Sequence, residues 1–459
     1  MSDGRRVLVV GAGLAGSLAA IHLARLGHQV EIYERLPDPR TAARNGGRSI
    51  NLGLSQRGIR ALDGVGLLDE VLRVAAPMRG RVIHQRDREL DFQPYGSQED
   101  QILRSVLRED LNGILLTTAL GLPNVRAHFG ETLTGLDRGS VTSAPVCRFT
   151  GAGGEHEVSA ELVVGADGAF SAVRTRLLRG LPADFHQRFL PWGYKEFAVP
   201  AGLPGELRSA PDSLHVWPCH DGLIVAHPNV NGSLTATVFL PLSGDESFET
   251  LTTEQSVRKL FDTRFPDVRE LVPDVVEQFL GHPTGHLVTV RSSPWQHEGR
   301  VVLIGDAAHA VYPFYGQGMN SALEDCTVLR ECLERDDWAA ALRTFQERRK
   351  PHTDVLADLS EQNFDELRTR LASPLFLARK KADLLLSKTF PGRWVPLYTM
   401  VSHTTMPYAD ALSRARRQHT VLTWASIGTA LTTALCGYAL SRRGRTSRTR
   451  GQRHDGGRR

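Results

Sequence analysis

The sequence predicts an α/β fold: a doubly wound parallel sheet, an inserted antiparallel β-sheet and a helical C-terminal region. Three observations predict this class. A β-branched run at residues 5–11 precedes a helical apolar period and a second strand, which together form a β-α-β unit. Short strands separated by Pro, Gly and Asn follow from about 180 to 295. The strand–turn–helix style then returns at 301–310, so the first domain is expected to be discontinuous.

The length and charge of the chain restrict its class. Its 459 residues are enough for two or three domains or one large composite fold. The net charge is +4, but the last 19 residues carry eight Arg and one Asp, a charge of +7. Subtracting this tail leaves −3 for residues 1–440. A general nucleic-acid-binding surface is therefore not indicated.

The cysteines and the first residues indicate the compartment. The five Cys are odd in number and none forms a C-x-x-C pair, so neither a disulfide framework nor a metal site is expected. The apolar run at the N-terminus is short and ends at Gly11, which is unlike a signal peptide. We expect a reducing, cytoplasmic location.

The first turn of the β-α-β unit carries a dinucleotide motif. It is G-x-G-x-x-G and comprises Gly11, Ala12, Gly13, Leu14, Ala15 and Gly16. Such glycines allow the tight turn, the approach of a pyrophosphate and the packing of the helix on the sheet. Glu34 ends the second strand, where an acid can bind a ribose diol. FAD or NAD therefore fits this site better than NADP.

Two later segments place acids after strands. Asp167 follows the apolar strand ELVVG and by itself indicates an ordinary turn, whereas Asp306 ends the strand VVLIG beside the first crossover. Gly316, Gln317 and Gly318 then open a helix near Met319, whose N-terminus can stabilise negative charge on a bound ring system.

These motifs resemble, in order and spacing, the single-component flavin aromatic hydroxylases, in which they build one FAD site. A second G-x-G-x-x-G unit is absent from the sequence, so NADPH would dock without a motif of its own. Further segments are similar to the kynurenine 3-monooxygenase family: GRSINLGLSQRG, PMRGRVIH, QPYG, YKEF, HVWP, GDAAHAVYPFYGQGMNSALEDC and PLYTMV. The resemblance runs from about residue 5 to 418.

The resemblance implies a reaction. That family hydroxylates L-kynurenine at ring carbon 3, with bound FAD, NADPH and O2, through a flavin C4a-hydroperoxide. Two alternatives stay open: an FAD hydroxylase of another aromatic acid or phenol, and a membrane-attached FAD protein that does not oxygenate.

The resemblance also implies site residues. The amino-acid end of the substrate would be held by Arg81, Tyr95, Asn363 and Tyr398. Without the resemblance, Arg81 and Tyr95 would be interpreted as a surface charge and a core aromatic. Beyond the motif glycines and acids, FAD would contact Leu14, Ala15, Arg35, Arg108, Gly318, Met319 and Asn320. Gln317 and Tyr315 are the candidate catalytic residues. The family usually has Phe or His where Tyr315 stands, which bears on the packing of the substrate ring.

The predicted organisation closes with the C-terminus. Residues 420–441 contain no charge and are long enough to span a bilayer core of about 30 Å, although five Thr weaken the signal. A terminal helix packed on the body is the alternative. The predicted parts are the FAD-binding domain (1–180 and 296–335), the β-rich substrate domain (181–295), a helical region closing the substrate pocket (336–418), a candidate membrane-associated helix (419–441) and a basic disordered tail (442–459).

Overall fold

The structure is a computed structural model. It describes residues 4–41, 50–84, 90–96, 98, 100–140, 142–202, 210–219, 221–366 and 374–422. Most of the uncharged run at 420–441, the basic tail and the first residues of the GRSINL segment lie outside these residues.

A six-stranded sheet forms the centre of the first domain. From edge to edge its strands are β18 (Gln296–His297), β19 (Val301–Leu303), β12 (Leu162–Gly165), β1 (Arg6–Val10), β2 (Gln29–Glu34) and β8 (Val125–Phe129). All neighbours are parallel except β18, which pairs antiparallel with β19. Val7, Val9 and Val164 are fully buried because both faces of a parallel sheet are covered. The strand order confirms the predicted doubly wound architecture.

Among the described residues, eight helices share one hydrophobic core with this sheet. They are α1 (Leu14–Arg25), α2 (Gln56–Asp63), α3 (Leu68–Arg73), α4 (Arg108–Leu120), α5 (Ala172–Leu178), α9 (Asp306–His309), α10 (Gly318–Leu333) and α11 (Trp338–Asp365). Helix α1 ends where Gly27 takes a positive φ of 89°, as a helix-terminating glycine does. Two three-stranded sheets flank the domain: β3 (Asn51–Leu54), β7 (Leu103–Leu107) and β4 (Ala75–Met78), and β9 (Thr132–Asp137), β10 (Val146–Gly151) and β11 (Gly154–Ser159).

A seven-stranded sheet forms the second layer. Its order is β17 (Gly285–Ser293), β13 (Asp184–Val199), β16 (Leu234–Pro241), β15 (Gly222–Pro228), β14 (Ser213–Cys219), β5 (Gly80–Ile83) and β6 (Asp91–Pro94). Neighbours are antiparallel except the parallel pair β14 and β5. The last two strands come from residues assigned by sequence to the first domain. The predicted boundaries stay predictions, but the sheet extends beyond 181–295.

The two faces of this sheet meet different neighbours. One face packs on α6 (Glu254–Arg264), α7 (Pro266–Leu271) and α8 (Val275–Gly281), around Phe197, Trp217 and Phe261. The other face, which includes Trp192 and Phe239, packs against Phe364 of α11. This second face therefore connects the sheet to the C-terminal helical region.

The C-terminal region is helical, as predicted. It contains α11, α12 (Pro374–Thr389), α13 (Leu397–Ser402) and a helix over 408–422. Within the described part of the chain, no helix combines the length and the apolarity needed to cross a membrane.

Candidate active site

The glycine motif forms the turn between β1 and α1. Gly11 has a φ of +106°, and a Cβ there would lie 2.5 Å from the carbonyl oxygen of Ala166. A Cβ on Gly16 would lie 1.9 Å from the carbonyl oxygen of Gly11. By contrast, a Cβ on Gly13 would meet nothing within 4 Å. Protein packing thus explains two of the glycines, while the third faces open space suited to a pyrophosphate.

Glu34 holds the same turn from the end of β2. One carboxylate oxygen accepts a hydrogen bond from the backbone N–H of Ala12 at 2.8 Å, and the other accepts from Leu36 N–H at 2.9 Å. The residues at the start of α1, Leu14 and Ala15, are not acidic, so the partial positive charge of that helix end is left for a ligand. Arg35 is exposed beside this acid.

Asp306 and Arg108 lie close enough for their charges to interact, although almost 200 residues separate them in the sequence. Asp306 begins α9, and Arg108 begins α4. Surrounding protein raises the pKa of Asp306, while the charges of Arg108 and His309 oppose this shift. The structure therefore brings these two predicted cofactor residues together.

The carboxylate of Asp167 accepts hydrogen bonds at the start of α5. Its carboxylate accepts from Ser171 Oγ at 2.5 Å and from the N–H groups of Ala172 and Val173 at 2.7 and 3.0 Å. It therefore caps α5, and burial raises the pKa of its carboxyl. A contact with FAD stays a prediction for this residue.

The side-chain amides of Gln317 and Asn320 connect the Gly316–Gly318 turn to neighbouring segments through hydrogen bonds. Gln317 is 1% exposed, and its Oε1 accepts from Ser55 Oγ at 3.3 Å and from the Tyr408 hydroxyl at 3.2 Å. Asn320 is also buried. Its Nδ2 donates to the carbonyl oxygens of Gly53 and Gly316 at 2.8 and 2.9 Å, and its Oδ1 accepts from the N–H of Ser55. Met319 is only partly buried.

These bonds indicate how the turn would serve a cofactor. The side chains of Gln317 and Asn320 are engaged by protein, so the backbone at the start of α10 is the part available to a ligand. The first turn of α10 contains no acid that would compete for its positive end. Catalysis by Gln317 itself remains a prediction.

Three predicted substrate residues lie together. Tyr95 follows β6, Tyr398 lies on α13, and their rings stack with centroids 5.6 Å apart. Burial raises the pKa of both phenols, and the nearby charge of Arg81 partly opposes that shift. Arg81 lies on β5, where its Nε donates to Gln93 Oε1 at 3.1 Å. The cluster combines one cation with two phenol donors that stay neutral at ordinary pH.

The predicted catalytic residue Tyr315 borders this cluster, and the fourth predicted substrate residue, Asn363, contacts the residue before Tyr315. The ring of Tyr315 lies 5.7 Å from that of Tyr398, and burial raises the pKa of the Tyr315 phenol. Asn363 of α11 donates from Nδ2 to the carbonyl oxygen of Phe314 at 2.6 Å. Asn363 therefore holds the segment that carries Tyr315.

Sequence reasoning missed several residues of this region. His403 approaches Tyr95 and Tyr398 with ring centroids 6.5 and 6.4 Å away. Arg57 and Tyr408 are buried below the Gly316–Gly318 turn. Arg57 lies inside the GLSQRG segment, where nothing in the sequence marks it as buried.

The donor set fits FAD. An open glycine turn lies at the start of α1, and Glu34 and Asp306 place carboxylates at strand ends for hydroxyl groups. The start of α10 provides a second positive helix end. These are the groups that the phosphates, the sugar and the ring system of a flavin dinucleotide require.

Comparisons with known proteins also indicate an FAD-binding protein. The FAD binding domain family matches residues 5–360. The chain is 56% identical to a kynurenine 3-monooxygenase of Salinispora tropica, covering 96% of this chain and 98% of the relative. It is 57% identical to that of Salinispora arenicola (95% and 96% covered) and 42% identical to that of Myxococcus xanthus (89% and 88% covered).

Solved structures agree on the fold. A 2-methyl-3-hydroxypyridine-5-carboxylic acid oxygenase superposes with a TM-score of 0.65 at 23% identity, covering 82% of this chain and 96% of that one. PqsL of P. aeruginosa, in complex with 2-aminobenzoylacetate, gives the same TM-score and identity, with 82% and 100% covered. The glycine turn and the acids at the strand ends agree with these relatives, which show that the chain belongs to the kynurenine 3-monooxygenase family of FAD-dependent flavoprotein monooxygenases.

Proposed function

We propose that this enzyme hydroxylates L-kynurenine at ring carbon 3, using bound FAD, NADPH and O2. The observation that carries the proposal is the cluster of Arg81, Tyr95 and Tyr398 beside Tyr315. The chain that holds it is 56–57% identical to two relatives named kynurenine 3-monooxygenase. The reaction consumes L-kynurenine, O2, NADPH and one proton. It yields 3-hydroxykynurenine, NADP⁺ and water.

The cluster suits the amino-acid end of the substrate. A guanidinium offers a planar fork to a carboxylate, so Arg81 would hold the substrate carboxylate. Because burial raises the pKa of Tyr95 and Tyr398, both phenols remain protonated and can donate hydrogen bonds. Asn363, anchored on Phe314, would complete this end of the pocket.

The aromatic ring would then lie towards the Gly316–Gly318 turn. Phe314 packs on Phe364 with ring centroids 4.5 Å apart, and Phe239 packs on Phe314 at 5.3 Å. Such walls exclude water from the reacting centre. FAD reduced by NADPH supplies the activation of O2 when bound, while these side chains orient the ring and keep the pocket dry.

We assign FAD binding to the residues that the sequence predicts for it. They are Gly11, Gly13, Leu14, Ala15, Gly16, Glu34, Arg35, Arg108, Asp167, Asp306, Gly318, Met319 and Asn320. The start of α10 would lie where negative charge grows on the reduced ring. NADPH would approach without a dedicated nucleotide-binding motif.

The test measures NADPH and O2 consumption with and without L-kynurenine, and the mass of the product. We expect kynurenine to stimulate NADPH oxidation and one ¹⁸O atom from ¹⁸O2 to appear in the product. Stimulation by another aromatic acid or phenol, but not by kynurenine, would assign a different substrate. NADPH oxidation without any oxygenated product from kynurenine or those aromatics would contradict an oxygenating function.

We also propose a cytoplasmic enzyme whose residues 420–441 attach it to a membrane. The support is the uncharged run and the Arg-rich tail in the sequence.

A further inference from the structure

Arg57 is a buried cation in the first turn of α2, with its side chain 0% exposed. Its guanidinium donates hydrogen bonds to the carbonyl oxygens of Val401 at 2.6 Å and Thr404 at 2.8 Å, and also to that of Met406. These three carbonyls belong to the end of α13 and the loop after it. One side chain of the FAD-binding domain thus holds a segment of the C-terminal region.

This contact completes a helix end. The last carbonyls of a helix have no partner within it, and they form its negative end. Arg57 supplies both donors and positive charge at the end of α13. Helix α13 is only six residues long, and it carries Tyr398 of the substrate cluster. The position of Tyr398 therefore depends on what holds this short helix.

Arg57 is also linked, through ion pairs, to the turn that carries Asp306. Its Nε lies 3.3 Å from Glu324 Oε1 of α10, and Glu324 pairs with Arg349. Arg349 Nε donates to Asp325 Oδ1 at 2.7 Å, and Asp325 Oδ2 accepts from the N–H of Gly305 at 2.9 Å. Although burial opposes it, the charges of His309 and Arg349 lower the pKa of Asp325 to about 2.

A second set of contacts links Arg57 to the Gly316–Gly318 turn. The Arg57 guanidinium lies 4.0 Å from the centroid of the Tyr408 ring, and the Tyr408 hydroxyl donates to Gln317 Oε1. The Gly305–Asp306 and Gly316–Gly318 turns, which carry the predicted FAD contacts Asp306 and Gly318, are thus joined to α13 through polar groups.

We propose that Arg57 is a positioning residue that fixes the Tyr398 side of the substrate pocket relative to the FAD-binding domain. This inference rests on the proposed function for its kinetic consequences. Without Arg57, α13 would lose donors at its end, and Tyr398 would no longer be held at one place. Substrate would bind less tightly and be aimed less accurately, so more NADPH and O2 would end as NADP⁺ and H2O2.

The test compares Arg57→Met with Arg57→Lys and with a control, Arg60→Met. Arg60 lies on the same helix with its side chain 62% exposed. Losing hydrogen bonds to a charged group should raise the KM for L-kynurenine about tenfold or more in Arg57→Met, with a smaller change in kcat. We expect more H2O2 per NADPH, retained FAD and an intermediate effect in Arg57→Lys, because an ammonium lacks the planar fork. Arg60→Met should match wild type.

Hydrogen exchange provides a readout that does not depend on kynurenine. Amides of residues 397–408 should exchange about tenfold faster in Arg57→Met than in Arg60→Met. Equal exchange in these two variants, or wild-type KM and H2O2 yield, would overturn the inference. If Arg57→Met fails to fold, the same KM, H2O2 and exchange measurements on Arg57→Lys test the inference. If kynurenine does not stimulate NADPH oxidation by the wild-type enzyme, the proposed function is wrong. Faster exchange of residues 397–408 in Arg57→Met would still support the positioning role of Arg57.

Discussion

At the scale of single residues, the glycines of the first turn have separable roles. A Cβ on Gly13 meets no atom within 4 Å, whereas a Cβ on Gly16 meets the Gly11 carbonyl at 1.9 Å. We expect Gly13→Ala to fold with nearly wild-type thermal stability but to lose FAD affinity. Gly16→Ala should lower the melting temperature of the protein even without FAD. Thermal unfolding of apo and FAD-loaded protein checks both, and equal behaviour of the two variants would contradict the separation.

Arg81 permits a second residue-scale prediction. Replacing it by Ala removes the guanidinium that we assign to the substrate carboxylate, so the KM for L-kynurenine should rise about 10- to 100-fold. The matched control is Arg79→Ala, because Arg79 is 57% exposed and lies 3.7 Å from the exposed Asp212. Steady-state NADPH oxidation measures both variants. An unchanged KM in Arg81→Ala would remove the carboxylate assignment.

Residues also show what a sequence can and cannot predict. The glycine motif and Glu34 were predictable because their spacing is local and their role is a backbone requirement. The grouping of Arg81, Tyr95 and Tyr398 came only with the family resemblance, since over 300 residues separate the first from the last. Arg57 was missed because its partners are carbonyls almost 350 residues away, which leave no pattern in side chains.

At the scale of elements, strand content was predicted better than strand partners. The β-rich segments from YKEF to HLVTVR form strands β13 to β17, as expected. The joining of β5 and β6 to their sheet was not predicted, because these short strands lie among residues of the first domain. Pairing of β5 with β14 is nevertheless what brings Arg81 to the pocket.

The same strand pair carries a prediction about pH. His84, after β5, lies with Nε2 3.0 Å from Nδ1 of His215 on β14. Burial and His215 lower the pKa of His84 to about 3, and burial lowers the pKa of His215 to about 4. The unfolded chain takes up these protons near the usual pKa of 6.5, so their contribution to stability is present above pH 6.5 and is lost as the pH falls towards 4.

We therefore expect the melting temperature of His84→Gln to depend less on pH than that of wild type between pH 6.5 and 4. The difference in unfolding free energy should be at most about 1.4 kcal/mol per pH unit for each histidine. The control is His186→Gln, at an exposed position of β13. Parallel curves for wild type and His84→Gln would contradict the assignment.

At the scale of the whole molecule, the C-terminus can be removed without touching the described helices. A chain ending at Leu422 keeps the helix over 408–422. If the following residues attach to a membrane, full-length protein should bind anionic vesicles and the shortened protein should not, at equal kynurenine turnover. Each Arg near the surface adds about 1 kcal/mol, so high salt should weaken the binding. Equal vesicle binding by both chains would leave the segment without this role.

The order of strands in the central sheet has a consequence for protein synthesis. Strand β19 pairs with β12, yet some 135 residues separate them in the chain. At about 5 to 20 residues per second, the ribosome needs roughly 15 to 60 s to pass from β1 to β19. Until then β12 is an open edge, and Asp306 and the start of α10 do not yet exist. Flavin binding therefore has to wait until residues 306 to 318 have been synthesised. We expect chains stalled before residue 300 to carry no bound flavin.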